Sequence, residues 1–135
     1  MAESTPARDP TRHGPGALLI VRDLLFRVKL ESGLRHLGMA CRLAGSDAAA
    51  VETMPEPPAV VILDLADVEL HPLTMLRAIR ARADLARVPV VGFAPHADRE
   101  LRDAARQAGC TLVVSRSRIS SSLPEVLQPF LPRLS

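Results

Sequence analysis

The sequence predicts an α/β fold, a five-stranded parallel, doubly wound sheet with helices on both faces and strand order 2-1-3-4-5. Three observations carry that prediction. Short apolar runs of strand length alternate along the chain with segments whose apolar spacing is helical. The runs are continuous rather than alternating, so both faces of each strand must be covered. Parallel neighbours need right-handed crossover helices, and an open sheet wound in both directions meets that need economically.

Residues 1–16 hold three prolines, two glycines and mixed charges without apolar periodicity, and read as a disordered lead-in to a domain at 17–135. The first strand is Ala17-Leu18-Leu19-Ile20-Val21. Phe26, Leu30, Leu34 and Leu37 then recur at helical intervals, with Gly38 as the stop. Met39 to Leu43 reads as a weaker, partly exposed edge strand, followed by a short Ala-rich helix from Ser46 to Met54. Ala59 to Leu63 is the third strand. Pro72 suits a first helical turn, with Leu73, Leu76 and Ile79 as its stripe. Val88 to Phe93 is the fourth strand, and Leu101, Ala104, Ala105 and Ala108 form the next stripe, capped by Asp98 and stopped at Gly109. Thr111 to Val114 is the last strand. Ser122-Leu123-Pro124-Glu125 fits a capping box ahead of Val126, Leu127 and Phe130.

Composition narrows the function. A chain of 135 residues with 47% hydrophobic content makes one domain able to bury its own core. Two cysteines, Cys41 and Cys110, exclude a disulfide framework. Three Phe, no Trp and no Tyr argue against base-stacking platforms and sugar sites. The net charge of +2 does not by itself imply nucleic acid, and the arginine excess over lysine is first ascribed to genome composition. No apolar run reaches the ~20 residues of a membrane helix, and the N-terminus lacks signal-peptide order. A cytoplasmic, bacterial-type protein is expected.

Ligands of open parallel sheets bind beyond the carboxyl ends of the strands. The residues there are Arg22 and Asp23 after strand 1, Asp64 after strand 3, Ala94 after strand 4 and Arg116 after strand 5. Asp64 closing Val-Val-Ile-Leu-Asp, with Ile79-Arg80, Val88-Pro89-Val90-Val91 and Gln107-Ala108-Gly109-Cys110 downstream, resembles the receiver domain of two-component response regulators, a flavodoxin-like fold. The resemblance runs from Leu18 to about Leu131, with one residue missing in the first strand–helix region. It implies a phosphoaccepting aspartate at Asp64 and a divalent cation on an acidic pair after strand 1. It also implies a Ser or Thr after strand 4 and a Lys after strand 5. Here Asp23 keeps half of the acidic pair and Arg22 replaces the other half. Ala94 has no hydroxyl, Arg116 stands for the lysine, and Ser117 takes the place of a usual proline. Exchanging a carboxylate for a guanidinium changes the local charge by about two units and removes an oxygen ligand. The resemblance therefore implies a degenerate pocket, with no metal and no cofactor. Asp64 is expected to form an internal ion pair with Arg22 or Arg116, and Asp23 to act as a salt-bridge partner or helix cap.

His13, His36, His71 and His96 share no metal-ligand spacing, no Gly-rich phosphate loop occurs, and no enzyme is expected. Arg77, Arg80, Arg82 and Arg87 form one basic stretch. Arg99, Arg102 and Arg106 space along the next helix, where Glu100 and Asp103 would make a salt-bridged, solvated face. The receiver resemblance makes that helix, the fifth strand and the last helix the surface for dimers and outputs, with Arg99, Arg102, Arg106 and Arg118 as contacts. The expected function is a stand-alone receiver-like module that binds another signalling protein, a kinase or an output protein, without phosphorylation. A homodimer through the same face is the further partner reading. Phosphorylation on Asp64 and nucleic-acid binding through the arginine faces are the alternatives. At this length no output domain is expected on the chain.

Overall fold

The computed structural model describes residues 16–43 and 57–131. The strands are β1 (Gly16–Ile20), β2 (Ala40–Leu43), β3 (Val60–Asp64), β4 (Val90–Ala94) and β5 (Leu112–Ser115). They form one parallel sheet in the order β2-β1-β3-β4-β5, the predicted topology. The helices are α1 (Leu24–His36), α2 (Pro72–Ala81), α3 (Arg99–Gln107), α4 (Arg116–Ser121) and α5 (Leu123–Leu127), with single 3-10 turns at Val68–Leu70, Ala83–Leu85 and Gln128–Phe130. The expected helix at 46–54 lies outside the described residues, as does most of the expected lead-in. Gly16, placed in that lead-in, opens β1.

Every residue of β1, β3 and β4 is buried, as continuous apolar runs require, whereas β2 at the edge is partly exposed. The period of two along each strand sorts side chains onto two cores. Ala17, Leu19, Val60, Ile62, Val91, Phe93 and Val114 pack against α1, α4 and α5. Leu18, Ile20, Val61, Leu63, Val90 and Val113 pack against α2 and α3. Asp64 shares the parity of Val60 and Ile62, so it ends β3 on the α1 face. Ala94 belongs to the opposite core.

The caps follow the residue chemistry with one exception. Asp98 accepts from the Leu101 amide at 3.1 Å, and Gly38 and Gly109 adopt φ of 77° and 115° after their helices. The capping box at Ser122 does not form. Ser115 leaves β5 extended and its hydroxyl accepts from the Arg118 amide at 3.1 Å, so helix begins at Arg116 instead. The Ser122 side chain caps nothing. Pro124 has no amide to carry the ladder of α4 onward, and the backbone breaks at Ser122 before α5. Leu123, Val126 and Leu127 are buried there as predicted, and Phe130 is partly buried.

Arg80 leaves the basic stretch altogether. Its guanidinium donates to the carbonyls of Gly109 (2.8 and 3.0 Å), Leu85 (3.1 Å), Ala86 (3.0 Å) and Val88 (2.7 Å), and to the Thr111 hydroxyl at 3.2 Å. The clamp ties the C-terminus of α2 to the turns that lead into β4 and β5. Charge-assisted bonds to carbonyls are the strong class. Arg80→Ala is expected to lower stability by about 3 kcal/mol, read as the denaturant midpoint at unchanged slope. Arg80→Lys should recover less than half, because a single ammonium cannot span both sets of carbonyls.

Candidate functional site

The carboxyl edge of the sheet gathers the predicted residues. Register sets Asp64 beside Phe93 and Ala94 beside Ser115, and α4 starts at the next residue, Arg116. Asp23 caps α1, accepting from the Phe26 amide at 3.1 Å. Phe26 therefore enters the α1 core next to Phe93, with ring centroids 5.1 Å apart.

Arg116 joins these parts. Its Nη2 lies 2.6 Å from Asp23 Oδ2, and its Nη1 lies 3.9 Å from Asp64 Oδ2. Its Cζ sits 4.1 Å from the Phe26 centroid and 5.9 Å from that of Phe93. The guanidinium thus stands between two carboxylates on an aromatic floor, where cation–π attraction adds about 1 kcal/mol. The contact to Asp64 is too long for a hydrogen bond and acts through charge.

Arg22 goes elsewhere. It pairs with Asp67 through Nε (2.8 Å) and Nη2 (3.3 Å), while Asp67 also caps the turn at Val68–Leu70 through the Glu69 amide. Of the two expected partners for Asp64, only Arg116 is in place. Asp67 escaped the sequence reading, although an Asp two residues before Glu69 and three after a strand-end Asp64 is a turn-cap signal. Phe93 escaped it too, because its contact with Phe26 needs the sheet register. Ala94 is buried against the α2–α3 core and contributes no polar atom to the site.

Asp64 is 4% exposed, and no other charged residue is buried among the described residues. Burial pushes its carboxyl above the ordinary value, opposed by the Ala66 amide at 3.0 Å and by Arg116. Asp23 is lowered by the Phe26 amide and Arg116, and Asp67 by Arg22. A divalent cation would need several oxygen ligands at this edge. The carboxylates of Asp23 and Asp64 flank the Arg116 guanidinium, and that of Asp67 is engaged by Arg22. These residues do not fit a divalent cation. Among the described residues no cluster of His, Cys, Asp or Glu is arranged to hold a metal.

Arg99, Arg102 and Arg106 lie on one side of α3, where with Asp103 they line a depression of about 210 Å³. Arg118 lies on α4, exposed, and does not line it. The expected salt-bridged face is absent. No ion pair among the described residues involves the three α3 arginines. Asp103 stands four residues after Arg99 and three before Arg106, on the same side of the helix, but among the described residues no carboxylate there comes within 4 Å of a guanidinium. Cys41 and Cys110 are both free, and burial pushes the Cys41 thiol up to about 11.

No protein-family model and no curated protein sequence matches the chain. Solved structures do. The receiver domain of the sensor histidine kinase PA1611 from Pseudomonas aeruginosa, solved with a magnesium ion in its active-site cleft, superposes with a TM-score of 0.74 at 23% identity over 87% of this chain and 97% of that one. The chemotaxis response regulator CheY4 of Vibrio cholerae gives 0.74 at 18% identity, covering 87% and 98%. The phosphorylated cyanobacterial phytochrome response regulator RcpA gives 0.72 at 12% identity, covering 90% and 96%. The fold is that of response-regulator receiver domains. No helix among the described residues is long and apolar enough to cross a membrane.

The raised Asp64 carboxyl has a consequence for stability. The folded state holds that proton more tightly than the unfolded chain, so the contribution is fully present below the unfolded value and is lost as pH rises through the folded one. Asp64→Asn is expected to raise the melting temperature at pH 7, at about 4 °C per kcal/mol recovered. The gain should vanish near pH 3, where both states of the native chain are protonated. Melts in which Asn lowers stability at pH 7 would show that the charged form is the favoured one.

Proposed function

We propose that this chain is a receiver-like signalling module that binds its partner without phosphorylation and without a metal ion. The observation that carries the proposal is the Arg116 guanidinium between Asp23 and Asp64. Phosphoryl transfer to a carboxylate needs cationic charge available to the developing oxyanion. The Arg116 guanidinium is already committed to Asp23 and seated on Phe26. Ala94 offers no hydroxyl to a phosphoryl group, and Arg22 is held by Asp67. In this reading the protein works in the cytoplasm, and the partner is another signalling protein, a kinase or an output protein. The surface built from α3, β5 and the last helices, with Arg99, Arg102, Arg106 and Arg118, meets that partner or a second copy.

Incubation with acetyl phosphate and Mg²⁺, followed by intact-mass measurement, is expected to give no phosphorylated species. Stoichiometric labelling that disappears in Asp64→Ala would overturn the proposal and install Asp64 as a phosphoacceptor. Titration calorimetry supplies the complement. The native chain should give no Mg²⁺ binding heat, whereas the double change Arg22→Asp with Arg116→Lys, which returns a carboxylate and frees the space between Asp23 and Asp64, should bind the ion.

A further inference from the structure

Strand β1 begins beside a cleft at the edge of the sheet. Gly16 pairs in register with Ala40, and a Cβ on Gly16 would stand 3.0 Å from the Ala40 carbonyl oxygen. Ala40 also lines a cleft of about 420 Å³ between the end of α1 and the start of β2, together with Glu31, Arg35, Gly38, Met39 and Cys41. Glu31 stands four residues before Arg35, the spacing and order that favour an ion pair along a helix. Among the described residues neither is paired, and both line the cleft. Cys41, on the strand side, feels both charges, which act on it in opposite directions. The cleft thus offers one negative and one positive group beside an apolar wall. It lies at the amino end of the sheet, opposite the edge that carries Asp64.

We infer that this cleft is the seat of the chain's own N-terminal segment, with Asp9 paired to Arg35 and Arg12 to Glu31. Residues 1–15 lie outside the described residues and join β1 at Gly16, so their point of entry is fixed beside Ala40. Pro6, Pro10 and Pro15 bias the segment to an extended, polyproline-like backbone and remove amides that pairing with β2 would need. Such a backbone turns once in three residues with a rise of ~3.1 Å, so Asp9 and Arg12 face one side about 9 Å apart. Glu31 and Arg35 stand one helical turn apart, about 6 Å, and the long guanidinium side chains cover the difference. Gly14-Pro15 is a turn dipeptide that folds the segment back from β1. The four residues from Arg12 to Gly16 span up to ~14 Å, and Glu31 stands about 10 Å along α1 from the end of the cleft at Gly38. Each exposed ion pair is worth about threefold in a binding equilibrium, too little to hold a free peptide. A tether this short keeps the segment at an effective concentration of ~1 mM, and there the same contacts suffice. A partner's peptide or a second copy's segment lacks that advantage. The inference stands apart from the proposed function, because the cleft shares no residue with the carboxyl edge or with α3.

The test keeps the full chain and reverses the charges on each side in turn. Asp9→Lys with Arg12→Glu is expected to shift the backbone amides around the cleft and the Nε–Hε resonance of Arg35, while those of β3, β4 and β5 stay in place. Alkylation of Cys41 by a maleimide, read by peptide mapping, should quicken about threefold as the segment leaves, with buried Cys110 as the internal reference. Glu31→Arg with Arg35→Glu beside the native segment should quicken it likewise, and all four changes together should restore the native rate. Cleft resonances and an alkylation rate left unchanged by the reversed segment overturn the inference. A fourfold variant that fails to restore the rate overturns it too. Cleft resonances of the native chain that move with protein concentration overturn it in favour of a second copy's segment. Acetyl-phosphate labelling reports on Asp64 and not on this cleft, so the failure of either reading is visible without the other.

Discussion

Asp64 ends the central strand β3 where neighbours on both sides exclude water, and a carboxylate in such a place must be paired, hydrogen-bonded or protonated. The chain meets this constraint sparingly. One backbone amide, from Ala66, bonds Oδ1, and one guanidinium approaches Oδ2 without touching it. That guanidinium is held more firmly by Asp23, whose other oxygen caps α1, and by the face of Phe26, which the same cap seats in the core. The start of α1, the end of β3 and the start of α4 are therefore fixed relative to one another by a single arginine. Loss of its charge would leave Asp64 buried with backbone amides alone to oppose its burial.

An arginine in this place differs from a metal ion in kind as well as in charge. It carries one positive charge rather than two, its donors lie in a plane, and it stays charged across the physiological range. It is also covalently part of the chain. The balance at the carboxyl edge is thereby written into the sequence, and the concentration of a dissolved cation has no part in it under the proposed function. Arg22 reinforces this by turning away toward Asp67, so the two guanidiniums divide the exposed carboxylates between them and leave Asp64 the least satisfied.

Much of the fold was legible because it depends on local signals. Continuous apolar runs gave the strands, Asp23 and Asp98 stood where caps belong, and Pro72 and Gly109 marked a helix start and stop. Period and crossover rules then left one economical strand order. What remained hidden depended on pairings between distant residues. Whether Arg22 or Arg116 faces Asp64 follows from which loop carries a competing carboxylate, and Asp67 decides it through a contact 45 residues away. The stacking of Arg116 on Phe26 and Phe93 requires strand register, and so does the placement of Ala94 in the opposite core. Ser115 took the capping role from Ser122 because the last strand runs into helix with no loop between, a junction that two adjacent serine-rich segments leave ambiguous in sequence. Arg80 looked like part of a charged surface, and only the turns folded around it reveal four carbonyls as its partners.

That same Arg80 divides the molecule mechanically. Its bonds gather the segments entering β4 and β5 at the amino end of the sheet, opposite the edge that carries Asp64 and Arg116. The floor of the domain is pinned by several bonds from one guanidinium, whereas the rim is held by exposed ion pairs that can exchange one at a time. Under the proposed function, any rearrangement on partner binding is expected in the rim loops and the helices they launch, with the floor as the frame against which they move.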